Sequence, residues 1–163
     1  MRLYVLPALL LLLLAGCASG PTFDTTGVDR SVTPRAAVAE FDAQRGKSVI
    51  WGGVILDIHN LADSTRLEVL GYPLDSSNRP QRDADPLGRF VIERSGFLEP
   101  ASYSQGRLVT VVGKLAETES GKVGGSDYTY PVIEAARLHL WEKTSGRSGG
   151  SNVHFGIGVG IGL

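Results

Sequence analysis

The sequence predicts an all-β domain with small α content: five strands closed into a Greek-key barrel. Three observations carry this. Five stretches between residues 47 and 143 are rich in β-branched, aromatic and apolar residues, and Gly, Pro, Asp and Ser punctuate them. One helical signal precedes the first stretch and a shorter one separates the third from the fourth. Glycine makes up 21 of 163 residues and aromatics 7%, a mixture suited to tight turns.

The elements follow in order. Thr33 can cap a helix whose first position suits Pro34, and RAAVAEF continues it toward Gly46, so about three turns should lay Val38 and Phe41 on a core. KSVIWGGVILDIHN (47–60) is the first strand, with Gly52-Gly53 marking a bulge or sharp bend. ADSTR (62–66) turns the chain. RLEVLGYPL (66–74) alternates, with Leu67, Val69 and Gly71 on one face and Glu68, Leu70 and Tyr72 on the other. A polar loop (75–88) leads to the third strand, GRFVIERSGF (88–97). Between Pro100 and Gly106 a helix of one or two turns fits. RLVTVVGKLAE (107–117) is the clearest strand, TESGKVGGSD (118–127) reads as a glycine-rich loop, and YTYPVIEAARLHLWEK (128–143) closes the domain. A helix between the third and fourth of five strands is the layout of an OB-like barrel, which removes most free sheet edges; a β-sandwich is the competing architecture.

The amino end is an export signal. Met1-Arg2 is a short positive region, Leu3 to Leu14 is almost wholly apolar, and small residues follow. The apolar run is about a dozen residues, against the roughly 20 needed to cross a bilayer as a helix. Leu14-Ala15-Gly16-Cys17 resembles a bacterial lipobox, and Cys17 is the single cysteine of the chain. That resemblance implies removal of residues 1–16, a diacylglyceryl group on the Cys17 sulfur and an acyl group on its new amine. Two or more acyl chains anchor stably where one does not. Ala18 after the cysteine implies sorting to the outer membrane, with the domain facing the periplasm. The expected organisation is therefore a signal peptide (1–16), a lipidated tether (17–32), the barrel domain (33–143) and a Gly-rich flexible tail (144–163). In that tail Phe155, Ile157, Val159, Ile161 and Leu163 alternate with glycine. Strand addition to a neighbour is its sharper reading, disorder the plainer one.

The blocks VIWGGVI (49–55), LEVLGYPLD (67–75), GRFVIERSGFLEP (88–100), GRLVTVVGKL (106–115) and YPVIEAARLHLW (130–141) resemble the Slp family of starvation-inducible outer-membrane lipoproteins. The resemblance implies an outer-membrane lipoprotein linked to envelope stress, and brings no catalytic residues.

Chemistry of its own is sparse. One cysteine excludes an intramolecular disulfide and cysteine-rich zinc sites. His59, His139 and His154 lack ligand spacing, and His139, beside Arg137 and Trp141 on one strand face, reads as a solvated position. Asp83 and Asp85 share a loop without EF-hand spacing, and no Gly-x-Ser-x-Gly elbow occurs. No enzyme, metal or cofactor beyond the covalent lipid is expected. Lys plus Arg total 16 against 17 Asp plus Glu, so nucleic acid is not an expected partner. The function expected is a structural or interaction module of the envelope, with a protein or glycan partner. The alternative is an OB-like domain binding an envelope glycan or small polyanion, for which Trp51, Tyr72, Arg89, Tyr130 and Trp141 are the candidate contacts.

Overall fold

A computed structural model describes residues 21–143. The expected signal peptide, the lipobox Leu14 to Cys17 and the Gly-rich tail lie outside the described residues. The described elements are α1 (Pro34–Ala39), α2 (Phe41–Gln44), β1 (Ser48–Asn60), β2 (Ser64–Gly71), β3 (Gly88–Ser95), β4 (Leu108–Val123) and β5 (Ser126–Leu140). The strands close in the order β1-β2-β3-β5-β4, with β4 returning to β1. Every seam is antiparallel except β3–β5, a short parallel contact of Val91–Glu93 with Val132–Glu134. This is the expected five-stranded OB-like barrel.

Alternation sets the inside. Val49, Trp51 and Ile55 of β1, Leu67 and Val69 of β2, Phe90 and Ile92 of β3, Val109, Val111 and Leu115 of β4, and Ile133 of β5 form one buried cluster. β1 serves both halves of the ring: residues 48–54 pair with β4 and 53–60 with β2. The change of partner falls at Gly53, where a Cβ would lie 2.0 Å from Leu70 O. Only a residue without a side chain admits that backbone approach. The bend is thus at the expected glycines, but the register shift is not; it lies between Ile55 and Asp57.

Five expectations are corrected. The single three-turn helix is two short ones, broken at Glu40 (φ −127, ψ 37). Thr33 does cap it, accepting from Ala36 N at 3.2 Å. The residues buried on α1 are Pro34 and Ala37 rather than Val38, because small side chains let the helix sit close on the barrel; Phe41 packs partly buried against the core. Between β3 and β4 there are two hydrogen-bonded turns: Ser102 N and Tyr103 N both donate to Glu99 O at 3.0 Å, and Arg107 N donates to Ser104 O at 3.2 Å. Buried Leu98 and partly buried Tyr103 pack on the core there, so side-chain docking overrides the weak helical signal.

The expected glycine-rich loop 118–127 is mostly strand. β4 and β5 pair through Val123↔Ser126, and the turn is only Gly124-Gly125, both at positive φ (55 and 88). Two such residues suit a tight hairpin turn matched to strand twist. Gly121 belongs to this arm for a packing reason: a Cβ there would meet the Tyr130 ring at 2.9 Å. Finally, the described part of the expected tether, residues 21–32, lies on the barrel. Asp29 bridges to Val49 in parallel, its N–H donates to Ser48 O at 2.8 Å, and Val32 is buried. Phe23 meets the His139 ring edge-on at 6.0 Å. A tether with Val28, Val32 and one aromatic has enough apolar side chain to dock.

Candidate functional site

The outer face of β2 and β3 is where a barrel of this kind presents a surface to an extended ligand. Here the β4–β5 arm folds onto it. Register shifts between Val112 and Gly113 and between Leu115 and Glu117 bend the hairpin. Its side chains then reach across to β2: Glu119 accepts from Arg66, and the Tyr130 hydroxyl donates to Glu68 Oε1 at 3.2 Å. Arg89 pairs with the same Glu68 oxygen at 2.7 Å, and its backbone N–H donates to the Tyr128 hydroxyl at 2.9 Å. Arg66 also approaches Glu93 at 3.6 Å. Beneath these pairs Val91, Tyr130 and Val132 form a second apolar cluster, with Tyr128 stacked edge-on to Tyr130 at 4.8 Å. Burial, and then the Glu68 charge, push the Tyr130 hydroxyl above its ordinary value of 10.0, so it stays a neutral donor. A recess of about 400 Å³ remains between the arm and the β1–β2 turn. Its arginine, Arg66, already faces the carboxylates of Glu119 and Glu93.

A second recess of about 350 Å³ lies beneath the β2–β3 loop, lined by Arg30, Pro34, Trp51, Tyr72 and Leu74 among others. Trp51 is inside the barrel, edge-on to Phe90 at 5.1 Å, and its indole donates to Val32 O at 2.7 Å. Only Tyr72 of the two is half exposed.

The third surface is at the end of β5. Trp141 is buried there, outside the barrel. Its indole N–H donates to Thr110 Oγ1 at 2.9 Å, and Thr110 in turn donates to Asn78 O at 2.7 Å. The Arg79 guanidinium lies 5.1 Å above the Trp141 ring, a cation–π contact. His139 stands between Trp141 (4.6 Å) and Phe23, and the Arg137 guanidinium lies 6.0 Å from the Phe23 ring. Arg107 donates to the carbonyls of Ser102 and Trp141 at 2.8 and 2.7 Å. Arg79, Arg82, Arg107 and Lys143 line a groove of about 350 Å³, with Glu142 as its acidic member.

The five candidate contact residues therefore occupy three places. Arg89 and Tyr130 meet through Glu68, Trp51 and Tyr72 border one recess from inside and outside the barrel, and Trp141 stands apart. His139, read as a solvated position, is wedged between two rings. Sequence reasoning missed this cluster because Phe23 sits in a polar stretch 116 positions away from it in the chain; that one aromatic was the available signal. Among the described residues no group of three or more His, Cys, Asp or Glu is placed to hold a metal.

His139 gives a pH prediction. Burial first, and then the positive charges of Arg137 and Arg79, hold its pKa below the ordinary 6.5. The fold thus favours the neutral ring. As pH falls through 6.5 the unfolded chain protonates first, so this contribution is complete above that value and is lost on acidification until the folded ring also protonates. His139→Gln is expected to flatten the fall of the urea midpoint below pH 6.5 relative to wild type. Parallel pH profiles for the two proteins would count against the contribution.

Comparison with known proteins completes the picture. A model of the outer membrane lipoprotein Slp family matches residues 14–155. An uncharacterized protein of Haemophilus influenzae is 42% identical over 96 residues, covering 58% of this chain and 52% of that protein. The outer membrane protein Slp of Escherichia coli is 27% identical over 132 residues, covering 79% of this chain and 69% of its own length. The match thus spans about half the length of the Haemophilus relative. A small single-stranded DNA-binding protein of Streptomyces coelicolor is similar in structure at TM-score 0.37 and 16% identity, over 59% of this chain and 94% of that one.

Proposed function

Because this chain belongs to the outer membrane lipoprotein Slp family, we propose that it is a non-catalytic envelope module held at the outer membrane by lipid on Cys17. One observation carries the non-catalytic reading. The barrel face suited to an extended ligand is covered by the protein's own β4–β5 arm, and its charges are consumed in the pairs Arg66–Glu119 and Arg89–Glu68. A ligand there would have to displace an internal network, leaving partly buried partners unpaired. The barrel is then a scaffold whose outward surfaces meet other envelope components from a fixed position.

The anchor is the second half of the reading. Family members are outer membrane lipoproteins, the lipobox Leu14 to Cys17 supplies the attachment point, and no described helix is long and apolar enough to cross a membrane. The domain faces the periplasm in this proposal. Cross-linking in intact cells tests it: the lipidated chain is expected to capture a set of envelope proteins that the Cys17→Ser chain captures weakly or not at all. Identical captures with both chains would defeat it.

A further inference from the structure

We infer that the surface around Phe23, His139 and Trp141 is a membrane-docking face whose cations contact anionic phospholipid headgroups. This rests on the Cys17 anchor proposed above. The described chain begins at Pro21, four residues beyond Cys17, and four residues extend at most about 14 Å. From Pro21 the chain does not wander. Phe23 is fixed against His139, and Asp29 is bridged to β1. The root of the anchor is thereby tied to one side of the barrel, and that side must lie close to the lipid surface.

That side is also where cationic side chains gather. Phe23 touches His139, His139 touches Trp141, and Trp141 lies under Arg79. Arg82, Arg107 and Lys143 share the adjoining groove, and Arg137 lies over Phe23. No ion pair among the described residues engages Arg82, Arg107, Arg137 or Lys143. This contrasts with the β2–β3 face, where each arginine has its carboxylate. Four acidic residues share the region with these five cations: Glu142 in the groove, exposed Asp24 beside Phe23, and Asp83 and Asp85 in the loop that carries Arg82. Removing residues 1–16 takes one cation, Arg2, from a chain already at −1. The whole molecule therefore repels an anionic surface, and attraction requires this local concentration of charge. Because screening acts over about 8 Å at physiological salt, only the face held near the headgroups by the short root can exploit it.

The test removes the acyl chains and reads the face alone. Each Lys or Arg brought to an anionic surface raises binding about fivefold. The chain from residue 17 onward with Cys17→Ser should therefore co-sediment with phosphatidylglycerol-containing vesicles at millimolar lipid and low salt. It should do so several-fold more than with phosphatidylcholine alone. Adding Arg82→Glu and Arg137→Glu, both exposed positions, should lower that binding more than tenfold. Arg45→Glu with Lys122→Glu changes net charge equally at exposed sites elsewhere and should lower it far less. Equal binding to both lipids, or equal loss in the two double variants, would overturn the docking face. Fatty-acid labelling of the unaltered chain reports the anchor separately, so failure of one reading is distinguishable from failure of the other.

Discussion

A Cys17→Ser chain is expected to incorporate no labelled fatty acid and to move from the outer-membrane band of a density gradient to the soluble periplasmic fraction. The effect is all-or-none because the thiol is unique: no other cysteine in the 163 residues can accept the diacylglyceryl group. No described helix is long and apolar enough to cross a membrane. Membrane attachment by acyl chains gains about 0.8 kcal/mol per buried methylene, far beyond what a handful of surface cations contributes near anionic lipid. The substitution should leave the barrel intact, with unchanged urea midpoint. A Cys17→Ser protein that still takes up label and floats with the outer membrane would end the lipoprotein assignment.

Gly53→Ala is expected to destabilise the fold by about 3 kcal/mol, at the upper end of what overpacking a core costs. The added Cβ would sit 2.0 Å from Leu70 O and 2.7 Å from Leu70 C, which are backbone atoms of the neighbouring strand. Backbone in a hydrogen-bonded ladder cannot rotate away as a side chain does. Relief must come from parting β1 and β2 at the point where β1 exchanges one partner for another, and the buried Val69 and Ile55 beside it would lose contact. Gly121→Ala is the comparison. There the Cβ meets only the ring of Tyr130 at 2.9 Å, and a side chain, unlike a ladder backbone, can shift at a smaller cost. Urea unfolding of the two variants measures the difference, and equal midpoints would show that the crossing of β1 between partners is not a tight point.

Legibility in the sequence followed the range of the interactions concerned. Period-two alternation in 66–74 placed Leu67 and Val69 inward because it reports burial of one face, a local property of the strand. The same reading found all five strands and the bend at Gly52-Gly53. The stretch 118–127 reads as a loop because three glycines among polar residues resemble a turn, while Gly121 is glycine on account of Tyr130, nine residues on. Only Gly124 and Gly125 have the backbone of a turn there. The candidate contacts were legible as residue types but not as a site. Trp51 and Trp141 carry the same side chain, yet one fills the barrel and the other stacks beneath Arg79. Which fate each meets depends on whether its strand position faces inward, and for Trp141 on a loop and an N-terminal segment distant in the chain. The pairing of Arg66 with Glu119 spans 53 residues, a separation that no local pattern encodes.

The parallel seam between β3 and β5 joins only three residues of each strand, some 41 positions apart in the chain. The β4–β5 hairpin, by contrast, closes across two glycines and carries the longest ladder in the molecule. Chain-closure entropy therefore ranks the events of folding. The hairpin can zip locally, while the ring cannot be completed until β1, β2 and β3 have been assembled and carried round to its free edge. Until then the edges of β3 and β5 stand open with their amides and carbonyls unpartnered, ready templates for another chain. The brief parallel seam is thus the step at which assembly competes with aggregation.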